Sequence, residues 1–406
     1  LLPLAPPALQ RKLLLAIAPQ SVILEDLTGA KILRAVYSTH QLEEEMVDFW
    51  FNHFNVYFDK GGDRYMLPTY EREAIRPYAL GRFHDLLLAT AKSPAMLFYL
   101  DNWQSTGLPE NARRGRRQRG LNENYGRELL ELHTLGVDGG YTQKDVIEVA
   151  RCFTGWTIAA PREGGAFEYN DKMHDHGQKV VLGHVIRAGG GMSDGMKVIE
   201  ILSKHRSTAD FISLRLAQRF VSDKPPPSLV RRMAKTFRKS DGDLRKVMET
   251  MIYSGEFWSA AAYRDKVKSP FEMVVSAVRA TNADVTSAFL LANQVRRLGE
   301  PLYEKFEPTG YSADNAGWVS SASLLDRMNF ALALANNRVP GVKIDAAAWA
   351  AIAEKDPLAV ARRLLLRDPS EQTRQAIEKA LGGARPRQIP SLVAGLTLGS
   401  PEFQKR

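Results

Sequence analysis

Apolar residues recur at intervals of three and four along most of this chain. Over 41–58, Met46, Phe49, Trp50, His53 and Phe54 fall on one stripe, which predicts an amphipathic helix. Ile75, Leu80, Phe83, Leu87 and Leu88 predict a second helix over 70–91. Pro94 stands where a first helical turn tolerates a missing N–H, ahead of an apolar run at 95–100. The pattern at 122–135 predicts a further helix, stopped by Gly136. Thr142 and Asp145 form a capping box with Asp in place of the usual Glu, opening a helix that reaches Thr154. Helical patterns resume at 193–204, 208–221, 229–239, 243–253 and 270–281, and again at 320–336, 346–354, 357–366 and 370–381.

Between these two series the texture changes. Positions 166–183 read Phe-Glu-Tyr, a polar loop, then Val-Val-Leu-Gly, which predicts two short strands around a loop. The expected fold is mainly α: two helical lobes, 1–160 and 193–406, flanking a strand-loop-strand insertion at 161–192 whose β-hairpin lies near 166–183. A single continuous domain is the alternative division.

Composition narrows the function classes. At 406 residues, with 44% hydrophobic and 25% charged positions, the chain can bury a large core. A lone cysteine, Cys152, excludes an intrachain disulfide and a cysteine-based zinc site. No apolar run is long enough for a transmembrane segment. The formal net charge of +9 favours anionic partners. Part of that surplus is local: Arg113, Arg114, Arg116, Arg117 and Arg119 crowd into seven residues. They read as a solvated loop or, more sharply, as an anion-binding edge. No zinc-finger spacing, aromatic RNA-binding signature or basic heptad accompanies them, so no nucleic acid is expected. The chain begins Leu1-Leu2-Pro3 without Met, and this start reads as processed or truncated, with room for a targeting segment upstream.

Two polar constellations carry candidate chemistry. At about 100° per residue, Asn124, Arg127, Glu128 and Glu131 share one side of the 122–135 helix. Glu128 and Glu131 are then neighbours, suited to a divalent metal or to acid–base work, or else form a solvated face paired with Arg127. His133 falls roughly 140° from Glu128, over Gly126 and Leu129, and is expected to be a buried, hydrogen-bonded core histidine. The second constellation is a loop with Asp171, His174, Asp175 and His176 in six residues, followed by Lys179. Such density of groups that titrate or ligate metals marks a site, the alternative being a plain surface turn.

Several longer strings match a pattern. Phe49-Trp50-Phe51-Asn52-His53-Phe54, the run from Ser93 to Asn102, Asn122-Glu123-Asn124-Tyr125, the run from Glu131 to Tyr141, and Phe153-Thr154-Gly155-Trp156 occur in order. His174-Asp175-x-Gly177-x-Lys179 and Lys268-x-Pro270-x-Glu272 follow. Over roughly 30–340 the chain resembles the bacterial domain-of-unknown-function 1800 family. The resemblance carries no settled activity. It implies a periplasmic or secreted setting and a sulfatase-like protein partner. Together with the residues, the expectation is one polar site joining the Asn124/Glu128 face to the His174/Asp175 loop. A divalent metal would be held by His174, Asp175, Glu128 and Glu131. His174, Asp175 and Glu128 would act in hydrolysis or modification of an anionic or polymeric substrate, contacted by Asn124, Arg127 and Lys179. The rival expectation is a non-catalytic binding or assembly protein.

Overall fold

A computed structural model describes residues 7–107, 120–161 and 165–406. The arginine run at 113–119 lies outside the described residues. The architecture is mainly helical, with three two-stranded antiparallel sheets among the described residues. One contiguous cluster of buried apolar side chains runs from Ile32 to Phe403. At its centre Trp50 is fully buried, and its indole N–H donates to the Ala79 carbonyl at 2.9 Å.

The predicted helices form with shifted bounds, and the shifts have local causes. Gln41–His53 stops before Phe54. Beyond it the Asn55 amide donates to the carbonyls of Lys305 and Glu307, a tertiary anchorage that no helical turn would permit. The expected 70–91 helix is three pieces: a π-helix Tyr70–Ile75, a 3-10 turn Arg76–Tyr78, and an α-helix Phe83–Lys92. Pro77 and Gly81 sit at the breaks, where one lacks a donor and the other lowers helix propensity. Likewise Asn124–Glu128 is α-helical, and Leu129–Thr134 continues as a π-helix. There the Leu135 N–H reaches the Leu130 carbonyl at 2.8 Å, and the Thr134 hydroxyl reaches the Leu129 carbonyl at 2.6 Å. The wider turn breaks the 100° phase beyond Glu128. Helices Pro19–Tyr37, Ala288–Arg297 and Ile389–Leu398 were not among the predicted elements.

The insertion holds two hairpins instead of one. The strands foreseen at 167–169 and 180–182 do not pair with each other. β1 (Trp156–Ile158) pairs with β2 (Phe167–Tyr169), and β3 (Lys179–Val181) pairs with β4 (His184–Ile186). Leu182 and Gly183, both at positive φ (47° and 79°), make the two-residue turn that closes the second hairpin. Gly155 (φ 81°) starts the first. A Cβ there would lie 2.6 Å from the Asn170 carbonyl oxygen, so only glycine lets the chain cross so closely. The capping box forms as predicted, with Thr142 and Asp145 bonding each other's backbone N–H. Asp145 Oδ1 also accepts from the Leu182 N–H at 2.8 Å, tying the second hairpin to that helix.

Candidate functional site

The loop that sequence density singled out is a closed polar knot. His174 is buried, and both ring nitrogens face protein atoms: Nδ1 lies 2.7 Å from the Thr154 carbonyl, and Nε2 lies 3.2 Å from Asp194 Oδ2. A carbonyl only accepts, so Nδ1 carries a proton by assignment. Lys179 is wholly buried, its ammonium 2.6 Å from Asp194 Oδ2 and bonded to the Asp175 carbonyl. Asp175 accepts from Arg151 Nε at 2.8 Å and Nη2 at 3.1 Å, and from the Gly177 N–H at 2.8 Å. Burial works against ionisation of Asp175, but Arg151 and the Gly177 N–H hold its carboxyl below the usual range. His176 is exposed beside Asp171. The polar groups of His174, Asp175 and Lys179 are thus taken up by Thr154, Arg151, Gly177 and Asp194.

The charge of Glu131 is felt at Glu128. Burial first, then Glu131, raises the Glu128 carboxyl. Glu131 accepts from the Tyr141 hydroxyl at 3.0 Å, and Arg127 pairs with Glu123 at 3.4 Å and Gln143 at 2.9 Å. Among the described residues, no hydrogen bond or ion pair joins the Asn124/Glu128 face to the His174 knot. Nor, among them, does any group of three or more His, Cys, Asp and Glu stand ready to hold a metal ion. His133 is buried as expected, its ring near Phe54 (centroids 5.0 Å) and His53 (6.3 Å), and among the described residues its Nε2 has no partner. Desolvation pushes its imidazole down to about 3, so it stays neutral. The expected hydrogen bond of its ring is not made. The π-turn puts the ring against aromatic faces instead of polar groups.

Removing the imidazole from the knot should unfold the protein more easily. His174→Ala leaves the buried Lys179–Asp194 pair with a void and one partner fewer, a loss of about 2 kcal/mol. A urea titration checks this. An unchanged midpoint would mean that the loop histidine is not part of the packing.

A different cluster surrounds a cavity of about 680 Å³. Helices Pro19–Tyr37, Gln41–His53 and Pro270–Ala280 supply much of its wall, joined by the turns at 257–268, residues 364–366 and the C-terminal stretch 402–406. The Ser269 capping box starts Pro270–Ala280 and commits Glu272 Oε2 to the Ser269 N–H at 2.8 Å. Glu272 Oε1 then lies 2.9 Å from Arg219 Nη2 and 3.0 Å from Arg406 Nε. Neither contact has hydrogen-bond geometry, so the attraction there is Coulombic. Arg219 Nη2 also meets Glu45 at 3.0 Å and Asp48 at 3.2 Å, and Lys31 pairs with Asp48 at 2.6 Å. Burial raises Glu45. Burial also opposes ionisation of Glu272 and Asp48, yet the surrounding cations hold both below the usual range.

Lys268 stands apart in this cluster. Its N–H donates to the Gln404 carbonyl at 2.9 Å, and its own carbonyl accepts from buried Arg327 at 2.9 Å, so its backbone is fixed from both sides. Its ammonium sits 3.9 Å from the Phe403 ring centroid. Among the described residues, no carboxylate lies within ion-pair distance of it. Burial lowers its amine to about 8; the Glu272 charge opposes that shift, and Arg264, Arg406 and Arg327 add to it. Eight basic residues line the cavity against six carboxylates. Arg264 and Arg279 spend their hydrogen bonds on backbone carbonyls, so the local excess is positive. The cavity escaped the sequence reading because its charges come from positions as far apart as 31 and 406. The one signal was the string Lys268-x-Pro270-x-Glu272, noted only as part of a resemblance.

Fold and site together define a mainly helical protein with a charged, solvent-open cavity and small hairpins set among the helices. The chain belongs to the family described as protein of unknown function (DUF1800), whose model matches residues 11–405. The match thus extends well past 340 and takes in the C-terminal segment that closes the cavity. No curated protein and no solved structure matches the chain. No helix among the described residues is long and apolar enough to cross a membrane.

Proposed function

We propose that this protein binds an anionic substrate in the cavity, with Lys268 as its charge partner, and modifies it by acid–base chemistry. The observation that carries the proposal is the Lys268 ammonium: it lines the cavity, is held by its backbone, and among the described residues has no carboxylate at ion-pair distance. A partly desolvated cation met only by the Phe403 ring and the more distant Glu272 charge is a costly arrangement that an anionic ligand would relieve. The same cavity is lined by Glu45, a carboxyl that burial raises, and this is the acid available to a ligand held there. This reading keeps the anionic substrate expected from the net charge and moves its site away from His174, Asp175 and Glu128. A periplasmic or secreted setting and a sulfatase-like partner rest on the family resemblance alone.

Small anions such as uronates, dicarboxylates and sulfate esters should raise the thermal midpoint of the wild-type protein at pH 7. They should do so far less at pH 9, where Lys268 has lost its proton. Lys268→Met should abolish the shift at both pH values. It should also make the ligand-free protein more stable at pH 7, on the order of 2 kcal/mol, because a cation disfavoured by the fold is gone. The sign follows from the depressed amine: the unfolded chain holds that proton up to about pH 10, while the folded one releases it near 8. Wild-type stability therefore climbs between those values, and the climb disappears in the variant. Equal ligand shifts in wild type and Lys268→Met, or none with any anion, would overturn the proposal.

A further inference from the structure

The segment between helix Leu244–Ile252 and Lys268 is a run of turns that carries large aromatic side chains to the rim of the cavity. Trp258 is 73% exposed and Tyr263 is 61% exposed, and both line the cavity. The one polar atom of the indole is already spent, since Trp258 Nε1 donates to the Ile252 carbonyl at 2.7 Å. That bond, with an edge-to-face contact to Phe257 (centroids 5.2 Å), fixes the ring and leaves its apolar face to solvent. Arg264 lies 5.5 Å from the Tyr263 ring centroid. Leu366, also on the rim, is 88% exposed.

An oriented indole with a satisfied edge and a bare face is costly to hold in water and gains only from a flat apolar partner. The cavity behind it is cationic and rich in charged groups, so the ligand that enters is polar and anionic. One chemical class presents both characters along a single chain. A sugar ring offers a patch of C–H groups to an aromatic face, while its hydroxyls and acid groups point outward to donors and cations. From this juxtaposition, we infer that the substrate is an acidic oligosaccharide, bearing uronate or sulfate groups. One residue sits in the cavity against Lys268, and the following rings leave across Trp258 and Tyr263. The inference rests on the proposed anion-binding role of the cavity and adds the substrate class and direction. A protein partner would need an apolar patch wider than two rings and a leucine, and would not require the charged interior.

Calorimetric titration of the full chain tests it with four probes: glucuronate, oligogalacturonate, sulfated dextran oligomers and polyglutamate. At least one acidic oligosaccharide should bind ten-fold or more tighter than glucuronate, and polyglutamate should not share that gain. Trp258→Ala should remove the gain while leaving glucuronate affinity within two-fold. Trp258 is too exposed for its truncation to threaten folding, and Trp258→Tyr should restore part of the gain. Lys268→Met should weaken every acidic sugar. Several results would overturn the oligosaccharide assignment: no oligomer tighter than glucuronate, a gain that survives Trp258→Ala, or polyglutamate binding equally well. In those cases loss of glucuronate binding in Lys268→Met would still uphold the cavity as an anion site. Absence of binding by all four probes, or affinities unmoved by Lys268→Met, would overturn both.

Discussion

Arg219→Met should destabilise the protein by about 3–5 kcal/mol at pH 7, the range for removing one partner of a buried charge cluster. Arg219 Nη2 lies within 3.2 Å of Glu45, Asp48 and Glu272. Without it, Asp48 keeps only Lys31, Glu272 keeps only Arg406, and Glu45 keeps no cation at ion-pair distance among the described residues. A methionine fills much of the volume, so the loss reports charge more than a void. Burial already raises the Glu45 carboxyl, so this is the group that takes up a proton first. The cost should therefore shrink as pH falls toward 5, where protonation relieves the unpaired charge. Arg219→Lys, which restores a charge but not the reach of a guanidinium, should recover part of the loss. Urea midpoints at pH 5 and 7 for both variants check this. A loss that does not vary with pH would assign Arg219 a packing role only.

Asp63→Asn should act in the opposite direction. Asp63 is fully buried at the first turn of helix Asp63–Thr69, and among the described residues neither carboxyl oxygen has a hydrogen-bond partner. Desolvation pushes this acid up to about 9, with Lys60 opposing and Asp101 adding to the rise. The unfolded chain releases the proton near pH 4, whereas the folded chain retains it to about 9. Between those values the folded state binds one proton more, so stability declines as pH rises through the window. An amide of the same shape carries no such proton. Asp63→Asn should thus match the wild type at pH 4 and exceed it by a few kcal/mol at pH 8, with a flatter stability profile between. Thermal or urea unfolding across that range reads the difference directly. Parallel profiles would mean that Asp63 is ionised and partnered in solution.

The two candidate sites differ in how they could be seen in one dimension. His174, Asp175 and Lys179 are neighbours in the chain, so their density was visible. Their purpose was not, because Asp194 and Arg151, which occupy them, come from other elements. A cluster of titratable residues looks the same whether it awaits a ligand or knots a loop. The distinction lies in whether each donor and acceptor already has a protein partner. For the cavity the reverse holds. Its charged residues sit singly on unrelated segments, each one reading as an ordinary surface charge.

Local pattern determined the helical class, the position of the strand-bearing insertion, the capping box at Thr142 and the burial of His133, because periodicity, caps and turn residues act within a few positions. Tertiary structure decided the rest. The strand foreseen at 167–169 pairs with Trp156–Ile158, and the one at 180–182 pairs with His184–Ile186 across Leu182-Gly183. The π-turn at Leu129–Thr134 rotated His133 from polar partners to aromatic ones. The joining of Lys31, Glu45, Asp48, Glu272 and Arg406 around one cavity, with Arg219 paired to three of them, depends on the C-terminal segment packing against 266–268. The reason is physical. Hydrophobic periodicity records which face of an element is buried, but a charge is buried only where an opposite charge meets it, and that meeting depends on how distant elements pack.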